Sequence, residues 1–134
     1  LNFLIFHIGS LATAFIAMSS AIVIARFFKS KKWWLKAHKT LNLAAVIFAL
    51  AGFVFAFMMV QSSGGPHIRV PHAILGLTTL ILLLLNPILG QAIFRVRDKK
   101  RIPILKKAHR YAGRLTAAMF TATILAGLLL IGIL

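Results

Sequence analysis

Four apolar runs divide this chain, about Phe3–Ile24, Leu41–Val60, Pro71–Phe94 and Tyr111–Leu134. Each is close to the roughly 20 residues that a helix needs to cross a bilayer. The runs are continuous and do not alternate, so they read as helices and not as barrel strands. Of the 134 residues, 60% are hydrophobic. A soluble domain of this size could not hide so much apolar surface. The expected fold class is therefore an all-α membrane protein, a four-helix up-down-up-down transmembrane bundle, with residues 1–134 as one domain. The first run is too long and too weakly flanked to read as a cleaved signal peptide.

Three connections separate the runs. The first is RFFKSKKWWLKAHK and the third RVRDKKRIPILKKAHR, with Pro103 in its middle. The second is QSSGGPHIRV, where Ser62, Gly64, Gly65 and Pro66 mark a turn. Pro71 suits the first turn of the third helix, where a missing N–H costs nothing. Asn86-Pro87 falls inside that helix and should kink it.

Charge sorts by side. The chain carries 16 Lys and Arg against a single acidic residue, Asp98. Arg26, Lys29, Lys31, Lys32, Lys36 and Lys39 lie at the first connection. Arg95, Arg97, Lys99, Lys100, Arg101, Lys106, Lys107, Arg110 and Arg114 lie at the third. Arg69 alone belongs to the opposite face. The positive-inside rule makes the basic loops cytoplasmic. The 61–71 loop and both termini are then expected on the non-cytoplasmic side. Trp33 and Trp34 sit where an interfacial aromatic belt belongs. Topology accounts for the basic loops, and binding of an anionic reductant or of membrane lipid head groups is the further reading. Nucleic acid is not an expected partner, since no soluble module presents the charge.

Four histidines stand near the starts of the four runs: His7, His38, His72 and His109. Consecutive crossings reverse direction, so His7 and His72 share one level and His38 and His109 the other. Ionisable residues in membrane helices are costly and mark function; the bland reading is an interfacial imidazole bonded to a backbone carbonyl or to lipid. In an up-down-up-down bundle, helix one lies diagonal to helix three and helix two to helix four. Neighbouring axes lie roughly 8–10 Å apart, so diagonals are about 12–14 Å. Two imidazoles reaching across that distance leave room for one haem iron. Zinc or copper would want three or four converging ligands. Cysteine is absent, which excludes iron–sulfur ligation and thiolate zinc sites. Bis-histidine iron has no open position and suits electron transfer better than oxygen binding. The two iron levels are expected to lie about 20 Å apart along the membrane normal, at roughly 1.5 Å per helical residue.

A flat haem needs small residues beside it. Gly76 and Gly113 lie one turn past His72 and His109, on the same helix face. Ala25, Ala56, Gly90 and Gly127 lie five turns past the four histidines, again on their face. These are expected to clear the haem plates, although small residues also mark ordinary helix contacts in membranes.

Several stretches resemble the four-helix dihaem core of the cytochrome b561 family. They are HIGS and ARFF in helix one, WWLKAHKTLN entering helix two, PHAILGL opening helix three and KAHRYAGR opening helix four. His72–Gly76, His109–Gly113 and Trp34 four residues before His38 look like the family's elements. The resemblance covers nearly the whole chain. It implies two b-type haems, one ligated by His7 and His72 on the outer side, the other by His38 and His109 on the cytoplasmic side. In well-known members the donor is ascorbate and the acceptor is monodehydroascorbate or a ferric chelate. A bare four-helix core looks more like the membrane subunit of a larger redox system, exchanging electrons with a partner protein, quinol or a small reductant.

Haem propionates favour an arginine fork. Arg69 is expected to pair with the outer haem or its partner, and Arg26 and Arg114 to do so inside. His67 reads as an exposed loop histidine, with proton handling or substrate contact as the alternative. Asn42 and Asn86 are expected to hydrogen-bond between helices. The leading reading is a dihaem electron carrier, either an electron-transfer subunit or an oxidoreductase of quinol-, ascorbate- or ferric-reductase type. Acid–base enzymology is disfavoured, since the one carboxylate lies in a basic loop. The other classes are a haemless structural or assembly subunit and a small transporter using the histidines for protons or metal ions.

Overall fold

The computed structural model describes residues 2–133. Leu1 and Leu134, the latter the expected end of the fourth run, lie outside the described residues. The chain forms α1 (Phe3–Phe27), α2 (Trp34–Ser63), α3 (Pro71–Arg95), the short 3₁₀ turn η1 (Lys99–Arg101) and α4 (Ile102–Leu130). There is no strand among the described residues. All four α-helices are long and apolar enough to span a membrane. The protein is thus an integral, multi-pass membrane protein.

The helices outrun the apolar segments. α2 begins at Trp34 and not near Leu41, and α4 at Ile102 and not near Tyr111. Hydropathy finds only the hydrocarbon-spanning part, whereas Lys, Leu and Ala continue a helix readily through the interface. His38 and His109 therefore sit inside helices, beyond the first turn. Pro103 is not mid-connection; it lies in the first turn of α4, where its missing N–H is harmless. Pro71 opens α3, as its chemistry suggests. Ser62 belongs to the last turn of α2, its hydroxyl donating to the Met59 carbonyl. The turn proper is made by Gly64, whose φ of +68° caps α2 in the left-handed region that suits glycine. α3 continues through Pro87 to Arg95.

The chain divides at Arg69 and Val70 into two compact units. In the first, α1 packs along α2 as an antiparallel hairpin. Its buried residues are mostly small, Ala14, Ala17 and Ala21 on α1 and Ala45, Ala49 and Gly52 on α2, with His7 and Met18 beside them. Small side chains let the backbones approach, which is how membrane helices gain dispersion contact when lipid supplies no hydrophobic drive. In the second unit, α3 packs along α4, burying Thr79 and Leu83 on one helix and Thr116, Phe120 and Thr123 on the other. Large apolar side chains such as Ile16, Ile47, Ile88 and Leu129 remain outward and exposed. That inverted distribution is the one a lipid solvent favours.

Candidate functional site

Each helix carries one histidine, and the same spacing governs all four. The hairpin seam runs from each histidine through the positions 4, 7, 11, 14 and 18 residues later, a periodicity that keeps one face of a helix in line. In α1 this seam includes His7, Leu11, Ala14, Met18 and Ala21; in α3 it includes His72, Gly76, Thr79, Leu83 and Asn86.

The imidazoles are held reciprocally within each hairpin. His7 Nδ1 donates to the Gly52 carbonyl at 2.8 Å, and His38 Nδ1 to the Ala21 carbonyl at 2.9 Å. His72 Nδ1 donates to the Thr123 carbonyl at 2.9 Å, and His109 Nδ1 to the Asn86 carbonyl at 3.0 Å. In every case the accepting residue lies 14 positions past the histidine of the partner helix. A carbonyl only accepts, so Nδ1 must carry the proton. The neutral ring then has its lone pair on Nε2. A fixed tautomer and a raised basicity at the far nitrogen are what outer-shell bonds give to metal-ligating histidines. The bland alternative expected from the sequence, an imidazole on a backbone carbonyl, describes what Nδ1 does in all four rings.

Two of the small residues face an imidazole. A Cβ on Gly90 would lie 3.0 Å from His109 Cε1, and one on Gly127 would lie 2.8 Å from His72 Cε1. The nearest group that these glycines clear is therefore an imidazole of their own hairpin. A Cβ on Gly113 would lie 3.1 Å from Asn86 Nδ2, and one on Gly76 would meet only Thr123 Cγ2 at 3.6 Å. Ala25 and Ala56, at the matching places in the first hairpin, are half-buried.

The amides do not behave as expected. Asn42 bonds its own helix, with Nδ2 donating to the His38 carbonyl at 2.8 Å and lying 3.4 Å from both nitrogens of the His38 ring. The two equal ring distances describe contact beside the ring, and the shorter carbonyl bond holds the amide there. Asn86 links helices through its backbone carbonyl, while its Oδ1 is buried without a hydrogen-bond partner. Such an orphan acceptor costs about 1–3 kcal/mol, which marks the surroundings of His109 as a place where a donor would be taken up.

Below His72 a short hydroxyl chain fixes the register of α4. Thr123 donates to the Met119 carbonyl at 2.8 Å, so the 2.9 Å bond between Thr79 and Thr123 must have Thr79 as donor. Thr79→Val removes that bond and strands no donor. Its expected cost is about 1 kcal/mol of stability, readable as a lowered thermal midpoint.

The remaining candidates lie at the periphery. Arg26, Arg69 and Arg114 are exposed, and the Arg114 guanidinium lies over the Tyr111 ring at 5.9 Å. His67 is not simply a loop histidine in solvent: its ring stacks on Phe57 at 4.3 Å and its Nε2 lies 3.2 Å from Gln61 Oε1. Trp34 lies one turn before His38, with ring centroids 6.3 Å apart.

Four helices long and apolar enough to span a membrane, each with one oriented imidazole, define a multi-pass membrane protein. The family model for eukaryotic cytochrome b561 matches residues 6–132 and runs through both units. The chain belongs to the cytochrome b561 family. Comparison with curated proteins and with solved structures gave no match. Membership implies transmembrane electron transfer, b-type haem and a redox partner in general terms.

Proposed function

We propose that this chain moves electrons across a membrane through two bis-histidine b-type haems, one between His7 and His72 and the other between His38 and His109. The observation that carries the reading is the set of four Nδ1-to-carbonyl bonds, which orient each ring and put its lone pair on Nε2. Two nitrogen donors per level suit the two axial positions of haem iron, and imidazole is a ligand that iron accepts. Bound there, the haem would supply one-electron chemistry at a closed iron.

The chain's own residues do the rest. Gly52, Ala21, Thr123 and Asn86 hold the imidazoles in one tautomer and one direction. Gly76, Gly113, Ala25, Ala56, Gly90 and Gly127 keep the histidine faces narrow. Arg69 on one side, and Arg26 and Arg114 on the other, would pair with propionates. The basic connections lie in the cytoplasm and the 61–71 loop outside. The electron partner is a quinol, a small reductant such as ascorbate, or a protein of a larger redox assembly of which this chain is the membrane subunit.

A reduced-minus-oxidised absorbance spectrum of the purified chain tests this. A b-type signal with two haems per chain is expected. A ratio near one would leave a single histidine pair in use. Absence of the signal would end the reading in favour of a structural subunit.

A further inference from the structure

At the basic end of the second unit, the end of α3 and the start of α4 enclose an open pocket of about 750 Å³. Its walls are apolar along Ile88, Ala92, Ile104 and Leu105. Its polar residues are Gln91, Arg95 and Arg101. At about 100° per residue, Ile88, Gln91, Ala92 and Arg95 fall on the side of α3 opposite Asn86, whose carbonyl holds His109. The pocket is thus separate from the histidine seam, and its chemistry is independent of the haem proposal.

Two arginines lining one pocket concentrate positive charge there, which an anion would offset. The neighbourhood makes this worse, because Arg97, Lys99 and Lys100 lie in the same connection. Asp98 alone offsets them, at 3.5 Å from Arg101 Nε. A guanidinium has five donors, so that contact leaves Arg101 able to bind an anion through its terminal nitrogens. The volume is in the range of ligand pockets, about 300–1,000 Å³, and exceeds what a bare phosphate needs. Its apolar walls continue along a membrane-spanning helix. Phosphate chemistry at one end and hydrocarbon at the other describe a phospholipid.

We propose that this pocket binds an anionic phospholipid, with Arg95 and Arg101 on the phosphate and an acyl chain along Ile88, Ala92, Ile104 and Leu105. The alternative is diffuse attraction of any basic loop to an acidic membrane. The holoprotein is reconstituted in phosphatidylcholine vesicles carrying a minority of spin-labelled phosphatidylglycerol or spin-labelled phosphatidylcholine, and the relative affinity is read from the immobilised lipid fraction. The parent should prefer phosphatidylglycerol. R95Q/R101Q should lower that preference at least about tenfold, as expected for loss of two charge-assisted contacts to the phosphate, with unchanged helical circular dichroism reporting an intact fold. D98N should raise the preference. K31Q/K32Q removes the same charge from the first connection and should change little. Equal losses in the two double variants would overturn the proposal, because the attraction would then be diffuse. Abolition of the preference by inorganic phosphate would overturn it as well, leaving a phosphate site without a lipid requirement.

Discussion

Replacing His72 by alanine is expected to remove one b-type haem and leave the other. A haem iron held by a single imidazole has lost one of its two axial bonds, and the stoichiometry should fall from two haems per chain to one. The haem proposed between His38 and His109 should survive, because His109 is held by the Asn86 carbonyl, not by anything His72 supplies. The substitution also deprives the Thr123 carbonyl of its donor. That cost is on the order of a single hydrogen bond, about 1 kcal/mol, and should not unfold the chain. Haem extraction and the reduced-minus-oxidised spectrum read the outcome, with helical circular dichroism as the check on folding. His67→Ala is the matched control: its ring is tied to Gln61 and Phe57, and both haems should remain. Two intact haem signals in the His72→Ala protein would sink the assignment of His72 as a ligand. Loss of both in a folded protein would mean that the two sites assemble together.

The sequence carries the four spans and the four histidines plainly, because bilayer thickness and the cost of intramembrane polar groups leave few alternatives. Helix starts are less legible. Trp34 and Ile102 open their helices within basic stretches that hydropathy assigns to loops, so His38 and His109 are seated deeper than the apolar runs suggest. The small residues at Gly90 and Gly127 are visible as a pattern, but a pattern on one helix cannot name what faces it. Their nearest neighbours are the imidazoles of the partner helix. The carbonyl acceptors escape sequence reading almost entirely, since a backbone oxygen bears no residue signature: Ala21, Gly52, Asn86 and Thr123 have nothing in common as side chains. Their one signal is positional, each lying 14 residues past a histidine on its own face. The side chains of Asn42 and Asn86 illustrate the converse. An amide in a membrane helix announces a hydrogen bond, yet Asn42 spends it on its own helix and Asn86 leaves its oxygen buried and unmet.

Gly127→Ala is expected to cost haem while leaving the fold nearly intact. The added Cβ would lie 2.8 Å from His72 Cε1, closer than real Cβ contacts come, and a tight 3.0 Å from its Nδ1. The imidazole cannot retreat without lengthening its 2.9 Å bond to the Thr123 carbonyl. Overpacking of this kind costs about 1–3 kcal/mol, while alanine regains about 0.5–1 kcal/mol over glycine inside a helix. Net stability therefore falls by at most about 2.5 kcal/mol, and the ring that should meet the iron is pushed off its direction. A tenfold or greater loss of haem affinity corresponds to about 1.4 kcal/mol or more, well within that strain. Gly90→Ala should act in the same way on His109, 3.0 Å from its Cε1. Two other glycines separate the causes. Gly9→Ala meets nothing within 4 Å and should keep both haems. Gly76→Ala meets only Thr123 Cγ2, at an ordinary 3.6 Å, so the hairpin accommodates it. If haem content falls there too, the methyl obstructs the cofactor itself and not a ligand, which would make Gly76 the residue that clears the plate. Full haem occupancy in Gly127→Ala would show that His72 can leave the Thr123 carbonyl and still bind, and the reciprocal latch would then be dispensable for ligation.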